Sequence, residues 1–362
     1  MNACIKDLAE DFTRRMSAPY ELFLDLGGCR IQVSTNEAGL RDELADYFKE
    51  FAAAEGEADI DVIALECPAP DLGLAYEIKQ PDPGKTRIKE EFADLLDGRA
   101  VRKRLTGMVF LFGQGINLAL GPCLSNPNQV INFINNRFLE KKLNEGCLLG
   151  HAAGIVRNGR GLSLAGFSGM GKSTLAMSCL SRSADFVSND RILAEQNEDA
   201  VVMYGVPKQP RVNPGTLLNN PDLTGVIEPE NREAFLALPP EELWKLERKY
   251  DALIDECYGP GRFVLRAPMN GLVILNWRLD SGPLVIKRTD PRKRADLLPA
   301  FMKDTGLFYL ASDKGARTDR TLAAYADMLA RCDLIEMSGG VDFDIAADAC
   351  LEYLETGRIP GV

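Results

Sequence analysis

The chain has 362 residues, a hydrophobic fraction of 46% and a formal net charge of −11. That length permits two domains or one large one, with enough apolar residues to build a substantial core. The acidic balance argues against a general nucleic-acid coat or a surface for anionic membranes, although a local basic pocket for phosphate is compatible with it.

The first third has the pattern of a small α/β domain. Apolar periodicity and turn residues predict strands at 20–26, 29–34 and 60–64, and helices at 38–53 and 126–146. They also predict a hairpin formed by residues 108–112 and 116–120. The charge-dense residues 80–105 predict a solvated excursion that holds a short helix. We predict an N-terminal α/β domain over residues 1–140, with a regulatory or substrate-recruiting role.

Residues 141–362 alternate strands and helices in a way typical of a nucleotide-binding core. The predicted elements, in chain order, are an apolar segment at 148–156, a strand at 161–165, a helix at 173–181, a strand at 185–188, a proline-rich loop at 206–216, a helix at 238–254, strands at 263–265, 272–275 and 284–286, a helix at 295–302, a strand at 308–310, a helix at 321–330, a strand at 334–337 and a helix at 345–354. We predict that this second domain is catalytic.

The nine cysteines are scattered, with no C-x-x-C pair and no metal-ligand spacing. An odd count of this kind predicts reduced thiols in the cytoplasm. The N-terminal residues contain no apolar run of signal-peptide length, and no later apolar stretch reaches about 18 residues. We therefore expect a soluble cytoplasmic protein without a nucleic-acid or membrane partner.

The strongest functional signal is the segment GFSGMGKST at residues 166–174, which matches the pattern G-x-x-x-x-G-K-[ST]. Its glycines allow backbone conformations that point successive amides at phosphates. Lys172 can reach the β- and γ-phosphates, and the Ser173 hydroxyl can bind Mg²⁺. The N-terminus of the following helix favours an anion. The residues that we expect to bind ATP are Gly166, Ser168, Gly169, Met170, Gly171, Lys172, Ser173 and Thr174.

A loop of this kind usually works with an acidic residue that holds Mg²⁺ at the end of an apolar strand. The strand at 272–275 is followed by Asn276 and Trp277, which offer no carboxylate. Asp190 instead follows the strand at 185–188, at the carboxyl end where ligands of α/β sheets collect. We predict that Asp190 is a metal ligand or an acid/base group, and the alternative is a turn cap shared with Asn189.

Three further residues are candidates for the same site. His151, the single histidine, precedes the loop strand and could polarise the γ-phosphate or tune Asp190. The alternative is a core or surface histidine. Lys208 and Arg211 lie on the proline-rich loop and could bind a substrate or the transferring phosphoryl group, unless that loop is simply solvated.

Three segments together resemble the C-terminal catalytic domain of HPr kinase/phosphorylase: HAAG at 151–154, the loop at 166–174 and VSNDR at 187–191. In that family a histidine–glycine segment precedes a Walker A loop, and a paired-aspartate motif follows. The loop at 207–216 and the residues at 337–343 are similar to the HprK-related kinase B subgroup. The resemblance implies an α/β fold with a P-loop-containing, mixed-sheet core like that of HPr kinase and phosphoenolpyruvate carboxykinase, preceded by a smaller N-terminal α/β domain.

The resemblance also implies ATP and Mg²⁺ as cofactors. The site residues that it implies are His151, Gly171, Lys172, Ser173 and Asp190. This chain departs from the family at Asn189, which replaces the first aspartate of the pair, and at Thr174, where the family has glutamate.

We therefore expect an ATP-dependent phosphotransferase that acts on a hydroxyl, either of a protein serine or of a small molecule. HPr itself is not the expected acceptor, and the chain could form a homo-oligomer. Two alternatives stay open: a non-catalytic ATP-binding regulatory module and a P-loop NTPase switch.

Overall fold

The computed structural model describes residues 4–81, 86–198, 200–246, 248–279, 281–312 and 320–359. The chain divides into two compact units, one formed by Met1–Asn144 with Thr305–Lys314 and the other by Glu145–Asp304 with Gly315–Val362. The first unit is therefore discontinuous in sequence, a feature absent from the predicted division at residue 140. Within the described ranges, no helix is both long and apolar enough to cross a lipid bilayer.

The first unit contains one eight-stranded mixed sheet. Its strands are β1 (Tyr20–Asp25), β2 (Arg30–Thr35), β3 (Ile60–Glu66), β4 (Glu77–Ile78), β5 (Glu90–Leu95), β6 (Gly98–Lys103), β7 (Val109–Gly113) and β8 (Ile116–Gly121), in the order β1-β2-β3-β8-β7-β6-β5-β4. Its helices are α1 (Ile5–Arg15), α2 (Ala38–Tyr47), the 3-10 helix Lys49–Phe51 and α3 (Pro127–Asn144). Pairing is parallel for β2 with β3 and for β3 with β8. The predicted hairpin at 108–120 is confirmed as β7 and β8.

The short helix predicted within residues 80–105 is wrong for the described part of that segment, which forms the β5–β6 hairpin instead; residues 82–85 lie outside the described ranges. The charges that suggested a solvated excursion form ion pairs across the two strands. Arg99 Nε lies 2.5 Å from Asp94 Oδ1, and Arg102 pairs with Glu91. Opposite charges at facing positions stabilise a hairpin. The many charged residues of this segment therefore reflect the pairing of two strands.

The strand predicted at 308–310 is also wrong. Phe308 packs in an aromatic cluster, with its ring centroid 5.6 Å from those of both Phe110 and Phe112. Its carbonyl accepts a hydrogen bond from the guanidinium of Arg137, and the carbonyl of Leu310 accepts one at 3.1 Å from a side-chain amide of α3. Side chains thus satisfy the backbone carbonyls that a strand would pair in a ladder.

The second unit contains a six-stranded sheet, a four-stranded sheet and a two-stranded sheet. Its strands are β9 (Leu148–Gly150), β10 (Ala152–Arg157), β11 (Arg160–Gly166), β12 (Asp185–Ser188), β13 (Ile192–Asn197), β14 (Ala200–Tyr204), β15 (Arg211–Val212), β16 (Tyr250–Asp251), β17 (Arg266–Pro268), β18 (Gly271–Trp277), β19 (Leu284–Thr289) and β20 (Asp333–Gly339). Its helices are α4 (Lys172–Leu180), α5 (Pro214–Leu218), the 3-10 helix Pro221–Val226, α6 (Pro229–Leu236), α7 (Pro240–Lys245), α8 (Ile254–Tyr258), the 3-10 helix Ala295–Ala300, α9 (Leu322–Leu329) and α10 (Phe343–Thr356).

The six-stranded sheet has the order β12-β10-β11-β18-β20-β19 and carries the loop at 166–174. Strand β11 pairs in parallel with β18 and antiparallel with β10, and β18 pairs in parallel with β20. Helices α4 and α10 pack against each other and against β10 and β11. The fold is therefore mixed α/β, and the carboxyl end of β11 opens directly into the glycine-rich loop.

The single helix predicted at 238–254 is wrong, because the segment divides into α7, β16 and α8. Tyr250 and Asp251 pair with Val212 and Arg211 in the two-stranded sheet, which interrupts the apolar stripe. The predicted strand at 263–265 is reduced to one bridge between Phe186 and Phe263 before β17 begins. Long-range pairing of this kind overrides local helical periodicity.

A buried ionic cluster lies on the six-stranded sheet. Glu336 on β20 has a side chain only 3% exposed, and its carboxylate is 2.5 Å from a guanidinium nitrogen of Arg294 and 3.0 Å from Lys287 Nζ. Asn276 on β18 donates to it at 2.8 Å. Burial acts to raise the pKa of Glu336, but the hydrogen bonds from Arg294, Asn276 and Lys287 outweigh it and hold the pKa below the ordinary value of a glutamate.

Glu336→Gln is expected to lower the free energy of unfolding at neutral pH by about 1–3 kcal/mol, because the cations lose their charged acceptor. A pKa that is lowered in the folded state adds stability above the unfolded value and loses it as pH falls through the folded value. The difference from wild type should therefore shrink in acid below about pH 4.5. Urea unfolding at neutral and acid pH measures this, with the exposed Glu10→Gln as control. A difference that grows in acid would contradict the assignment.

Candidate functional site

The glycine-rich loop joins β11 to α4, so the strand and the helix predicted on either side of it are both present. Gly171 is the N-cap residue of α4, with φ of +85° and no side-chain cap hydrogen bond. The first N–H groups of a helix have no intrahelical partner. With no capping side chain, those of α4 are oriented to receive an anion such as a phosphate.

Two aromatic residues, Trp277 and Phe343, pack against this loop. Trp277 Nε1 donates a hydrogen bond to the Met170 carbonyl at 3.0 Å, and the Trp277 and Phe343 rings meet edge-on with centroids 5.2 Å apart. A Cβ on Gly171 would lie 2.5 Å from the Phe343 ring. Neither aromatic residue was predicted to contact the loop, because Trp277 lies on β18 and Phe343 at the start of α10, far along the chain.

Gly171→Ala is expected to weaken nucleotide binding by at least about tenfold, since it combines an unfavourable positive φ with a clash against a packed ring. Gly159 is a matched control, because it also has positive φ (+74°) but no atom within 4 Å of an added Cβ. Titration of an ATP analogue into both variants measures the effect. Equal affinities for Gly171→Ala and Gly159→Ala would contradict the role of this packing.

Lys172 begins α4 and is 9% exposed. Its ammonium donates to the Gly166 carbonyl at 2.7 Å and to the Phe167 carbonyl at 3.4 Å. Burial lowers its pKa to about 8, Asp190 opposes that change, and Lys303 adds to it. The loop thus holds the ammonium group in place, within electrostatic range of Asp190.

Asp190 follows β12 and lies among cationic or potentially cationic groups. Its Oδ1 is 3.3 Å from His151 Nε2, and its Oδ2 is 3.1 Å from Lys303 Nζ and 3.7 Å from Arg191 Nε. Partial burial acts to raise its pKa, but the His151 hydrogen bond and the charge of Lys303 outweigh it and hold the pKa well below the usual range. Asp190 is therefore an ionised carboxylate and a weak base, better suited to orient a hydroxyl or hold a cation than to keep a proton.

Backbone contacts position the two partners of Asp190. His151 stands between β9 and β10, and its N–H donates to the Phe301 carbonyl at 2.5 Å. The N–H of Lys303 donates to the Leu149 carbonyl at 3.1 Å. Lys303 was not among the predicted site residues, because it follows the segment 295–302, which carries no motif. The bridge between Gly150 and Met302 brings it to Asp190.

The loop at 206–216 is tethered at both ends to this region. The N–H of Val206 donates to Ser188 Oγ at 3.4 Å, and the hydroxyls of Thr216 and Thr174 are 2.8 Å apart. The loop therefore runs from the strand that precedes Asp190 to the first turn of α4. Thr174, predicted to bind nucleotide, has its hydroxyl engaged by this loop.

Of the two basic residues on that loop, Lys208 is tied by its backbone to the segment before Asp190: its N–H donates to the Val206 carbonyl at 2.7 Å, and the N–H of Val206 donates to Ser188 Oγ. Burial lowers the pKa of Lys208, the charge of Arg191 adds to this, and the charge of Asp190 opposes it. Arg211 instead pairs with Asp251, with 3.3 Å between Nε and Oδ1. Arg211 is thus held on the two-stranded sheet, whereas Lys208 shares the electrostatic environment of the candidate site.

The donor set fits a magnesium nucleotide. Asn189 Oδ1 is buried and has no hydrogen-bond partner in the described chain, so it offers an oxygen beside Asp190. The described residues contain no group of three or more His, Cys, Asp or Glu arranged for a metal ion. Mg²⁺ commonly takes one or two protein oxygens and completes its shell with phosphates and water. Ser173, Asp190 and Asn189 offer three candidate oxygens, of which one or two would be enough, whereas the Glu336 carboxylate is committed to Arg294.

Comparisons with known proteins add little. No protein-family model matches the chain, and no curated protein matches it. Among solved structures, the chain is similar to the Hpr(Ser) kinase/phosphatase from Coxiella burnetii, with 10% identity and a TM-score of 0.30 over 58% of this chain and 88% of that one. A likeness at that TM-score carries no argument about function.

Proposed function

We propose that the chain is an ATP-dependent phosphotransferase that moves the γ-phosphoryl group to a hydroxyl acceptor. The observation that carries the proposal is the Asp190 carboxylate, 3.1 Å from Lys303 and 3.3 Å from His151. It follows β12, which runs in the same direction as β11, so Asp190 and the glycine-rich loop lie at the same edge of the sheet. A glycine-rich loop alone would serve any nucleotide-binding protein. A carboxylate held ionised beside it gives the acceptor hydroxyl a partner. The sequence resemblance to HPr kinase/phosphorylase and its HprK-related kinase B subgroup agrees with this proposal.

The loop amides and Lys172 would bind the β- and γ-phosphates and offset the negative charge that develops on transfer. Asp190 would accept a hydrogen bond from the acceptor hydroxyl and aim its oxygen at the γ-phosphorus. A bond forms between that oxygen and phosphorus, while the bond to the β,γ-bridging oxygen breaks and ADP departs with the electron pair. The hydroxyl proton passes to water as the bond to phosphorus forms, and the Asp190 carboxylate orients the hydroxyl without keeping the proton. His151 and Lys303 keep the carboxylate in position throughout.

Ser173, Asp190 and the Asn189 side-chain oxygen are the residues that would hold Mg²⁺. When bound, the ion would neutralise phosphate charge and align the triphosphate. Asn189 cannot take up a proton, so its amide suits a ligand role better than the general-base role of an aspartate.

Asn189 also favours a second candidate, a regulatory module that binds ATP without turnover. The two functions differ in whether the γ-phosphate of bound ATP is transferred to another molecule. The test is incubation of the full chain with ATP labelled in its γ-phosphate, together with small-molecule and protein fractions of a cell extract. The kinase proposal expects label in one fraction in a Mg²⁺-dependent manner. Tight nucleotide binding with no transfer to any fraction would favour the module, and label released only as inorganic phosphate would favour an NTPase switch.

A further inference from the structure

Cations gather around Asp190 in a chain whose net charge is −11. Lys303 and Arg191 approach its carboxylate directly, and Lys172 and Lys208 lie within range of its charge. The local sign is thus opposite to that of the whole molecule. Such a concentration of one charge raises the local concentration of anionic ligands.

Holding these cations together costs free energy. Lys303 Nζ and Arg191 Nε lie 3.1 and 3.7 Å from the same oxygen, Asp190 Oδ2, so two cations share one carboxylate. Lys303 keeps only 24% of its side chain exposed, so water screens it incompletely. A site that maintains partly buried like charges is adapted to an anion that offsets them.

The nucleotide does not account for all of these groups. Lys172 and the first turn of α4 serve the triphosphate, and bound Mg²⁺ would neutralise part of its charge. Lys208 lies on the separate loop tethered at Ser188 and Thr174. The same loop carries Asn213, whose Oδ1 is buried without a hydrogen-bond partner in the described chain and could accept from a second polar group.

We propose that the acceptor is a small molecule that carries a carboxylate or phosphate monoester within a few bonds of its hydroxyl, and that Lys208 and Lys303 bind this anionic group. This inference rests on the proposed phosphotransferase function. The partial burial of Lys303 favours a small acceptor, because the anionic group must enter the site together with the hydroxyl. Lys208 and Lys303 would then set substrate class, while Asp190 orients the reacting oxygen.

The test uses two probes on the full chain saturated with Mg²⁺ and a non-hydrolysable ATP analogue. Inorganic phosphate stands for a phosphate monoester, and glycolate stands for a hydroxyl beside a carboxylate. Calorimetric titration should show that at least one probe binds saturably. Lys208→Met and Lys303→Met should each weaken it about tenfold, the effect of one charge-assisted hydrogen bond. In Lys208→Met the nucleotide affinity should change by less than about threefold, since Lys208 binds the acceptor and does not contact the residues that position Mg²⁺ in the proposed mechanism.

Lys6→Met, an exposed lysine of the first unit, is the matched control, and Lys208→Arg should retain most of the probe affinity. The probe that binds identifies the acceptor anion as phosphate or carboxylate. Binding of neither probe, or probe binding indifferent to both lysines, would overturn the inference while leaving the kinase proposal standing. Failure of the ATP analogue to bind at all would overturn the proposed function and this inference with it.

Discussion

Lys172→Ala is expected to lower kcat/KM for ATP by about 10²–10³-fold, the cost of losing one preorganised donor to developing phosphate charge. The native ammonium is buried and held by two loop carbonyls, so no neighbouring cation can take its place without rearrangement. Phosphoryl transfer by the wild-type and variant chains, measured with the acceptor fraction, tests this.

Lys6→Ala serves as the control for loss of a lysine without loss of the site. Because Lys172 also supports the loop, Lys172→Met is measured beside the alanine variant, since it keeps the aliphatic stem. Thermal unfolding shows whether each variant is folded. Transfer at the wild-type rate by either folded variant would contradict the assigned role.

Asp190→Asn is expected to lower phosphoryl transfer by about 10²–10⁴-fold while leaving the nucleotide affinity measured without Mg²⁺ within a few-fold of wild type. The amide keeps the size of the side chain but removes the charge that faces His151 and Lys303. It also leaves the acceptor hydroxyl with a weaker hydrogen-bond partner. Single-turnover transfer and calorimetric nucleotide binding separate the two effects.

The exposed Asp42→Asn variant is the control for loss of a carboxylate on the surface. Wild-type transfer in Asp190→Asn would exclude the carboxylate from the reaction. Unchanged nucleotide binding together with absent transfer in the wild type would support the regulatory module instead.

Local sequence signals located the region around the loop well. The strand predicted at 161–165 and the helix predicted at 173–181 correspond to β11 and α4, within one or two residues at each end. A short apolar run bounded by glycines can be predicted from neighbouring residues alone. The same holds for a loop whose glycines must adopt positive φ. The β7–β8 hairpin was predictable for the same reason.

Elements that depend on distant partners were not predictable. The charged residues at 90–103 have the pattern of a solvated segment, and only the pairing of β5 with β6 shows that they lie on facing strands. The apolar stripe at 243–254 has the pattern of one helix, but the pairing of Tyr250 with Val212 divides it. Phe308 belongs to the first unit because its ring completes an aromatic cluster there, which no local pattern reveals.

In the candidate site, too, residues in local motifs were predictable and residues brought in by distant contacts were not. His151, Lys172 and Asp190 were singled out from motif and strand position, and the structure places His151 and Lys303 on the same carboxylate. Lys303 could not be found from the sequence, because its position depends on a bridge between β9 and the segment that follows a 3-10 helix. Likewise, Asn189 was interpreted only as a departure from the family. Its buried oxygen has no hydrogen-bond partner among the described residues, which gives it a second interpretation as a ligand.

We propose that the loop at 166–174 and Asp190 act on one bound nucleotide. Calorimetric titration of the full chain with an ATP analogue, with and without Mg²⁺, tests this most directly. We expect one saturable site per chain whose affinity rises with Mg²⁺, falls sharply in Lys172→Ala and loses most of its Mg²⁺ dependence in Asp190→Asn. No binding at millimolar analogue, or binding indifferent to both substitutions and to Mg²⁺, would contradict the account.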